Sequence, residues 1–354
     1  MGEDEGGAAK RRQMAFENVK EIIKESPVFT KLTDLAAERL GGKVVYATDD
    51  FFAEKENLIK PGRGIFITDK YTDRGKWMDG WESRRKRIPG HDWAVLQLAT
   101  SGKIMGFDID THFFLGNHPP HASVEGIHLT DASAVSDWDT LAWTEILPKS
   151  PLDPGSQNFY ECKSDTLFTH IRLHIYPDGG VARFRVYGEV FRNWDAVGSD
   201  EVIDLAAAIN GGKAIACNDM FFSAMGNLIM PGRGVNMGDG WETKRNRTPN
   251  NRDWVILKLA HKGIIERILV DTCHFKGNYP DTCSIEVCDA GNDDEVITDK
   301  AAWTEILPKQ KLSADNEHLY TAEVKQAIPA THVRLNIFPD GGVSRLRLFG
   351  KKIN

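Results

Sequence analysis

The chain has 354 residues, 41% hydrophobic and 27% charged, with a formal net charge of −7. That length suits two domains with sizeable cores, the acidic balance argues against a nucleic-acid binder, and no stretch is apolar enough to span a bilayer as a helix. Five cysteines without a C-x-x-C spacing point to reduced thiols in a cytoplasmic protein, not to disulfides or a structural zinc.

From the N-terminus, Met1 to Gly7 is acidic and glycine-rich and precedes Lys10-Arg11-Arg12, which reads as a flexible tail over residues 1–30 without a signal-peptide pattern. A helix is expected around Phe16 to Ile23. Strands are expected at Lys43 to Ala47, Trp93 to Leu98, Ile104 to Asp110 and Ser123 to Leu129, where apolar residues alternate or cluster. A closing hairpin follows: Ile171 to Tyr176 alternates, Pro177-Asp178-Gly179-Gly180 supplies a turn, and Val181 to Tyr187 alternates again. A second helix is expected around Val202 to Ile209.

The same order then repeats. Asp34-Leu35-Ala36-Ala37 returns as Asp204-Leu205-Ala206-Ala207, and Asn57-Leu58-Ile59-x-Pro61-Gly62-Arg63-Gly64 as Asn227-Leu228-Ile229-x-Pro231-Gly232-Arg233-Gly234. Asp79-Gly80-Trp81-Glu82 returns as Asp239-Gly240-Trp241-Glu242, and Ala142 to Lys149 returns letter for letter from Ala302 to Lys309. The chain is therefore a tandem duplication, with domains over 31–190 and 200–354 and a boundary in Glu189 to Asp200. Gly64 and Asp79 are 15 positions apart and Gly234 and Asp239 only 5, so the first copy carries ten extra residues, a polar surface loop. Many short strands with Gly/Pro turns predict an all-β sandwich or jelly roll, and no G-x-G-x-x-G follows a strand.

Chemistry concentrates at three repeated places. Asp110-Thr111-His112 and Asp271-Thr272-Cys273-His274 end strands and lead into Gly116-Asn117 and Gly277-Asn278. A carboxylate beside an imidazole suits proton transfer, although the same residues suit a plain Asx turn with a space-filling histidine. The histidine is shifted by one position between copies, which in a strand would turn it to the opposite face. Glu82 with Arg85, and Glu242 with Arg245, join an acid to a guanidinium that can grip a carboxylate; the bland alternative is a buried tryptophan with solvated charges. Arg63 and Arg233 sit on tight turns open to an anion. Arg84 to Arg87 reads as a solvated face. His112, His118 and His121 lack counterparts enough to make a metal the minority reading.

Taken together, N-L-I-x-P-G-R-G, D-G-W-E, D-T-x-x-F-x-G-N, A-W-T-E-I-L-P and Y/F-P-D-G-G-V resemble the allantoicase family, from Asp34 to Gly350 in both copies. The resemblance implies two tandem jelly-roll β-sandwich domains of the galactose-binding-like type, a homo-oligomer, and hydrolysis of allantoate to ureidoglycolate and urea in purine degradation. It implies no certain cofactor, with a divalent metal possible. Proton transfer would fall to Asp271, His274 and Glu242 or to Asp110, His112 and Glu82. Substrate would be held by Arg233, Arg245, Asn278 and Lys276 or by Arg63, Arg85 and Asn117. The run from Asp271 to Asn278 weights the site toward the second copy. The rival expectation is a non-catalytic carbohydrate-binding jelly roll using Trp81 or Trp241.

Overall fold

A computed structural model describes residues 26–162, 164–325 and 327–353. Most of the expected tail, and the helix expected over Phe16 to Ile23, lie outside the described residues. The first copy consists of β1 (Thr33–Asp34), β2 (Lys43–Ala47), β3 (Asp92–Asp110), β4 (His121–Ile127), β5 (Thr144–Pro151), β6 (Gln157–Glu161), β7 (Phe168–Tyr176) and β8 (Arg183–Val190).

β3 organises the rest. Its 19 residues join two strands that the sequence reads as separate, because the polar stretch Thr100 to Lys103 resembles a turn. Up to Gln97 it pairs with β2 and β7; from Gly102 onward it pairs with β8 and from Gly106 also with β6, and β7 reaches past the bend only where Phe168 stands opposite Gly102. One sheet therefore runs β2–β3–β7–β4–β5 and the other β1–β8–β3–β6, all antiparallel, with β3 shared at the corner. A side chain on Gly102 would run into the Glu189 carbonyl, so the corner needs glycine. Period-2 alternation sends Ala94, Leu96, Leu98, Phe107 and Ile109 inward, against Ile171, Leu173, Phe184 and Val186 from β7 and β8. This is a jelly-roll β-sandwich. The second copy repeats it around Asp253–Asp271, which pairs with Pro329–Phe338 and Arg345–Lys352.

Two expectations change. The closing segment is not a hairpin. β7 and β8 do not pair with each other; they pair with opposite halves of β3, and the chain crosses between sheets through Pro177 to Val181. Gly180 and Val181 are taken by a separate pairing with Glu82 and Trp81. The helix over Val202 to Ile209 is also absent. Ile203–Asp204 is a short strand on Phe349 and Gly350, and only Ala208–Asn210 forms a 3-10 turn. The Asp204 carboxylate accepts the amides of Ala206 (3.1 Å) and Leu348 (3.0 Å), which pins the chain extended where propensity alone favours helix. The ten extra residues of the first copy include an exposed two-strand turn, Tyr71–Thr72 on Gly75–Lys76.

The repeated Gly-Gly-Val has two distinct physical causes. Gly179 holds φ +135°, and Gly180 lies against the ring of the fully buried Phe114, as Gly342 lies against Phe275. A methyl group at 180 would land on that ring. Gly180→Ala should destabilise the protein by about 1–3 kcal/mol through overpacking, read as a lower calorimetric midpoint. Gly226→Ala, which meets nothing within 4 Å, should stay within about 0.5 kcal/mol. Equal midpoints for the two variants would refute the contact.

Candidate active site

Asp110 closes β3 and is 1% exposed. It accepts a two-pronged contact from Arg63, Nε to Oδ2 at 2.8 Å and Nη2 to Oδ1 at 3.1 Å, and also the His112 amide at 3.0 Å. The second copy builds the same clamp: Arg233 reaches both oxygens of Asp271 at 3.0 Å, and the Cys273 amide donates at 2.9 Å. Each pair ties the Pro-Gly-Arg-Gly turn to the strand end. The one-place shift of the histidine does not send it to the opposite face, because the loop has already left the strand: Phe113 has φ 65° and its counterpart His274 has φ 70°. The two rings instead reach the same carbonyl by different atoms, His112 Nδ1 to Gly64 at 3.0 Å and His274 Nε2 to Gly234 at 2.8 Å.

Glu82 belongs to a different place. Its Oε1 accepts from the Asn117 amide at 2.7 Å, and it lines a cavity of about 340 Å³ with Phe52, Ser83, Arg85, His118 and Asp178. Burial raises the Glu82 pKa, and the Asn117 hydrogen bond opposes that. Glu242 and Asn278 repeat the pair, with the same direction and cause. Arg85 stands 3.9 Å from Asp178, whereas Arg245 and Lys276 are exposed. Trp81 and Trp241 are fully buried, their indole N–H groups donating to the carbonyls of Asp49 and Asp219 at 2.8 Å, so neither can serve as a sugar platform. The expected residues thus separate into an Arg–Asp–His group and a Glu–Asn group in each copy.

The residue that sequence reading missed is Asp108. Alternation along β3 puts Asp108 and Asp110 on the outer face, beside Arg185 and Arg183 of β8. Together with Arg39, Arg63 and Tyr187 they line a second cavity of about 340 Å³, to which the second copy contributes Met230. Every guanidinium there has its own carboxylate: Arg39 meets Asp239, Arg63 meets Asp110, Arg183 meets Asp79 at 2.8 Å, and Arg185 meets Asp34 at 3.6 Å. Asp108 is the odd acid. Its Oδ2 accepts from Gln157 at 2.7 Å, and its buried Oδ1 makes no hydrogen bond among the described residues. Burial, then the charge of Asp110, pushes its pKa up to about 7. Burial and the neighbouring charges of Asp34 and Asp108 also raise the Tyr187 phenol, which therefore stays protonated as a donor.

In the second copy the matching positions are Leu269 for Asp108, Glu317 for Gln157, Phe349 for Tyr187 and Ile209 for Arg39. The available signal was this exchange inside an otherwise repeated strand, together with two aspartates spaced by two.

The allantoicase repeat profile matches residues 33–191 and again 203–353. A probable allantoicase of Pseudomonas fluorescens is 54% identical over 325 residues, which is 91% of this chain and 97% of that protein. One from Photobacterium profundum is 51% identical over 326 residues, covering 92% and 98%. The crystal structure of allantoicase from Saccharomyces cerevisiae aligns with a TM-score of 0.77 at 37% identity, covering 96% of this chain and 98% of that one. With both repeats matched over nearly their whole length, the chain belongs to the allantoicase family.

Proposed function

We propose that the protein hydrolyses allantoate to ureidoglycolate and urea, a step of purine degradation, and that the reaction takes place in the arginine-lined cavity of the first copy. The observation that carries this siting is Asp108, a buried carboxyl that titrates near neutrality with one oxygen turned to no partner among the described residues. Allantoate is an anion whose central carbon bears a carboxylate and two ureido groups. Arg63 and Arg185 line the cavity where the carboxylate would lie, and a guanidinium carries five N–H donors, so each can grip a second carboxylate beside its own. A carboxyl kept neutral beside them does not repel that anion, and it can hand its proton to the departing ureido nitrogen. The C–N bond then breaks as urea leaves, water bonds to the carbon, and the water's proton returns to Asp108. Gln157 donates to Asp108 and orients it, and the protonated Tyr187 phenol lines the same cavity as a further donor.

This reading moves the weight from the second copy to the first, because Leu269 and Phe349 cannot transfer a proton. Asp110 and Asp271 become clamps that hold Arg63 and Arg233. Glu82 lines the other cavity, and Glu242 repeats its scaffold contact. We place the protein in the cytoplasm, consistent with five free cysteines, and without a nucleic-acid partner, consistent with its acidity. No helix among the described residues is long and apolar enough to cross a membrane. Exposed aromatic pairs, Phe51 with Phe52 and Phe221 with Phe222, support a homo-oligomer.

Colorimetric urea release from allantoate tests the activity. Asp108→Asn should lower kcat by about 10²–10⁴-fold, with substrate binding retained. Normal turnover in that variant would move the site elsewhere. No urea above a heat-treated control, together with saturable glycan binding, would replace the enzyme by a binding module.

Stability should show the same group from the other side. Folding raises the Asp108 pKa from 3.8 to about 7, so between those values the folded chain holds a proton that the unfolded chain has released. Stability from this group is therefore fully present at low pH and is lost as pH rises toward and past 7. Asp108→Asn lacks the penalty. At pH 8 it should exceed the parent by roughly 2–4 kcal/mol in guanidinium unfolding, and the gap should close near pH 4. A pH-independent difference would refute the buried acid.

A further inference from the structure

The clearest unexplained feature outside that cavity is in the second copy, where the loop after Asp271 meets the turn before Asn316. Cys273, His274 and Asp315 there each offer one ligand atom, and the three atoms lie within 4.8 Å of one another. We propose that these three side chains bind a thiophilic divalent cation, zinc foremost. A thiolate, an imidazole and a carboxylate span soft, borderline and hard donors, a mixed set that suits zinc, and three protein ligands leave further coordination to water or a small ligand.

The surroundings fit the role. A carbonyl only accepts hydrogen bonds, so the 2.8 Å contact to Gly234 oxygen puts the imidazole proton on Nε2. Nδ1 then keeps its lone pair, and the ring is held by a backbone acceptor in the way that outer contacts orient metal-bound histidines. Asp315 Oδ1 also accepts the His274 amide at 2.7 Å, which fixes the carboxylate beside the ring. The Cys273 thiol carries its proton beside Asp315, with sulfur and a carboxylate oxygen within 4.8 Å of each other. An entering cation would displace that proton to solvent and take its place between sulfur and oxygen. Cys273 is buried, His274 half-buried and Asp315 exposed, so the ion has a path in from the carboxylate side.

The first copy shows what the same place looks like without such a site. Gly155 donates to the Phe114 carbonyl at 3.3 Å as Asp315 donates to Phe275 at 3.2 Å, which aligns Asp315 with Gly155; Cys273 and His274 align with His112 and Phe113. In that copy His112 stacks on Phe113 at 4.0 Å, and Phe66, from the ten extra residues, covers Phe113 at 5.5 Å. The second copy lacks those ten residues and their aromatic cover. Two adjacent positions and a third 41 residues further on replace a His–Phe stack and a glycine with three donors. Asp315 holds φ 47° where the first copy uses Gly155 at φ 60°, so an aspartate stands where the backbone favours glycine.

The test uses the full chain and zinc alone. After equilibration with zinc and exhaustive dialysis, elemental analysis should find one zinc per chain. Cobalt in its place should give a thiolate charge-transfer band in the near ultraviolet. Asp315→Gly installs the first copy's residue, suits the left-handed backbone, and should weaken zinc affinity by about 100-fold or more without lowering the thermal midpoint. Cys273→Ala should abolish the cobalt band. Failure of the parent to retain zinc would overturn the proposal, and so would equal retention in both variants, since that would put the ion on other groups. Because the readout is bound metal, the result is separate from whether the protein releases urea from allantoate.

Discussion

Each copy depends on one strand that belongs to both of its sheets. A sandwich made of separate strands needs only side-chain packing to align its layers. Here the backbone of β3 carries hydrogen-bonded register from β2 and β7 into β8 and β6. The layers cannot slide without breaking ladders on both sides. That rigidity explains why the loops at the end of β3 can hold strained residues such as Phe113 and His274, whose left-handed backbone costs energy that the surrounding structure must offset. It also fixes the outer face of the β8–β3 layer, where residues spaced by two meet residues spaced by two.

On that outer face the two copies have diverged. The shared part is a set of guanidinium–carboxylate pairs: Arg63 with Asp110 and Arg183 with Asp79, matched by Arg233 with Asp271 and Arg345 with Asp239. In each pair the carboxylate is buried or nearly so; such pairs add little net stability, but removing the arginine would leave that charge uncompensated, so they set geometry. Against this constant frame the first copy adds an unmatched acid, Asp108, and the second replaces it with Leu269. One copy carries a titrating group into the paired-charge layer, and the other seals the layer with a hydrocarbon side chain.

The duplication, the sandwich and most strands were legible in the sequence, because period-2 alternation and repeated Gly-Gly-Val reflect burial directly. The continuity of β3 was not legible. Thr100 to Lys103 is polar, and only the paired partners on each side show that the strand passes through it. The hairpin expectation failed for a related reason: Pro177-Asp178-Gly179-Gly180 has turn chemistry, but the next residues were claimed by Trp81 and Glu82, which are distant in sequence. Arg63, Asp110, Glu82 and Asn117 were each named from sequence, but their pairing, Arg63 with Asp110 and Glu82 with Asn117, and the separation of the pairs into two places required the fold. Asp108 escaped notice because Asp-Ile-Asp at a strand end reads as a single polar terminus, and its isolation from any guanidinium of its own is a property of three dimensions.

The seam between the copies has a consequence for how the molecule can change. Leu40 of the first copy is buried within the core of the second, with Ala37 and Ala99 packed beside it, and Arg39 meets Asp239 across the same boundary. The first half has become part of the solvent-excluding wall of the second, and Met230 of the second lines the arginine cavity of the first. A substitution at the seam is felt by both halves: shortening Leu40 changes the chain of the first copy but opens the core of the second.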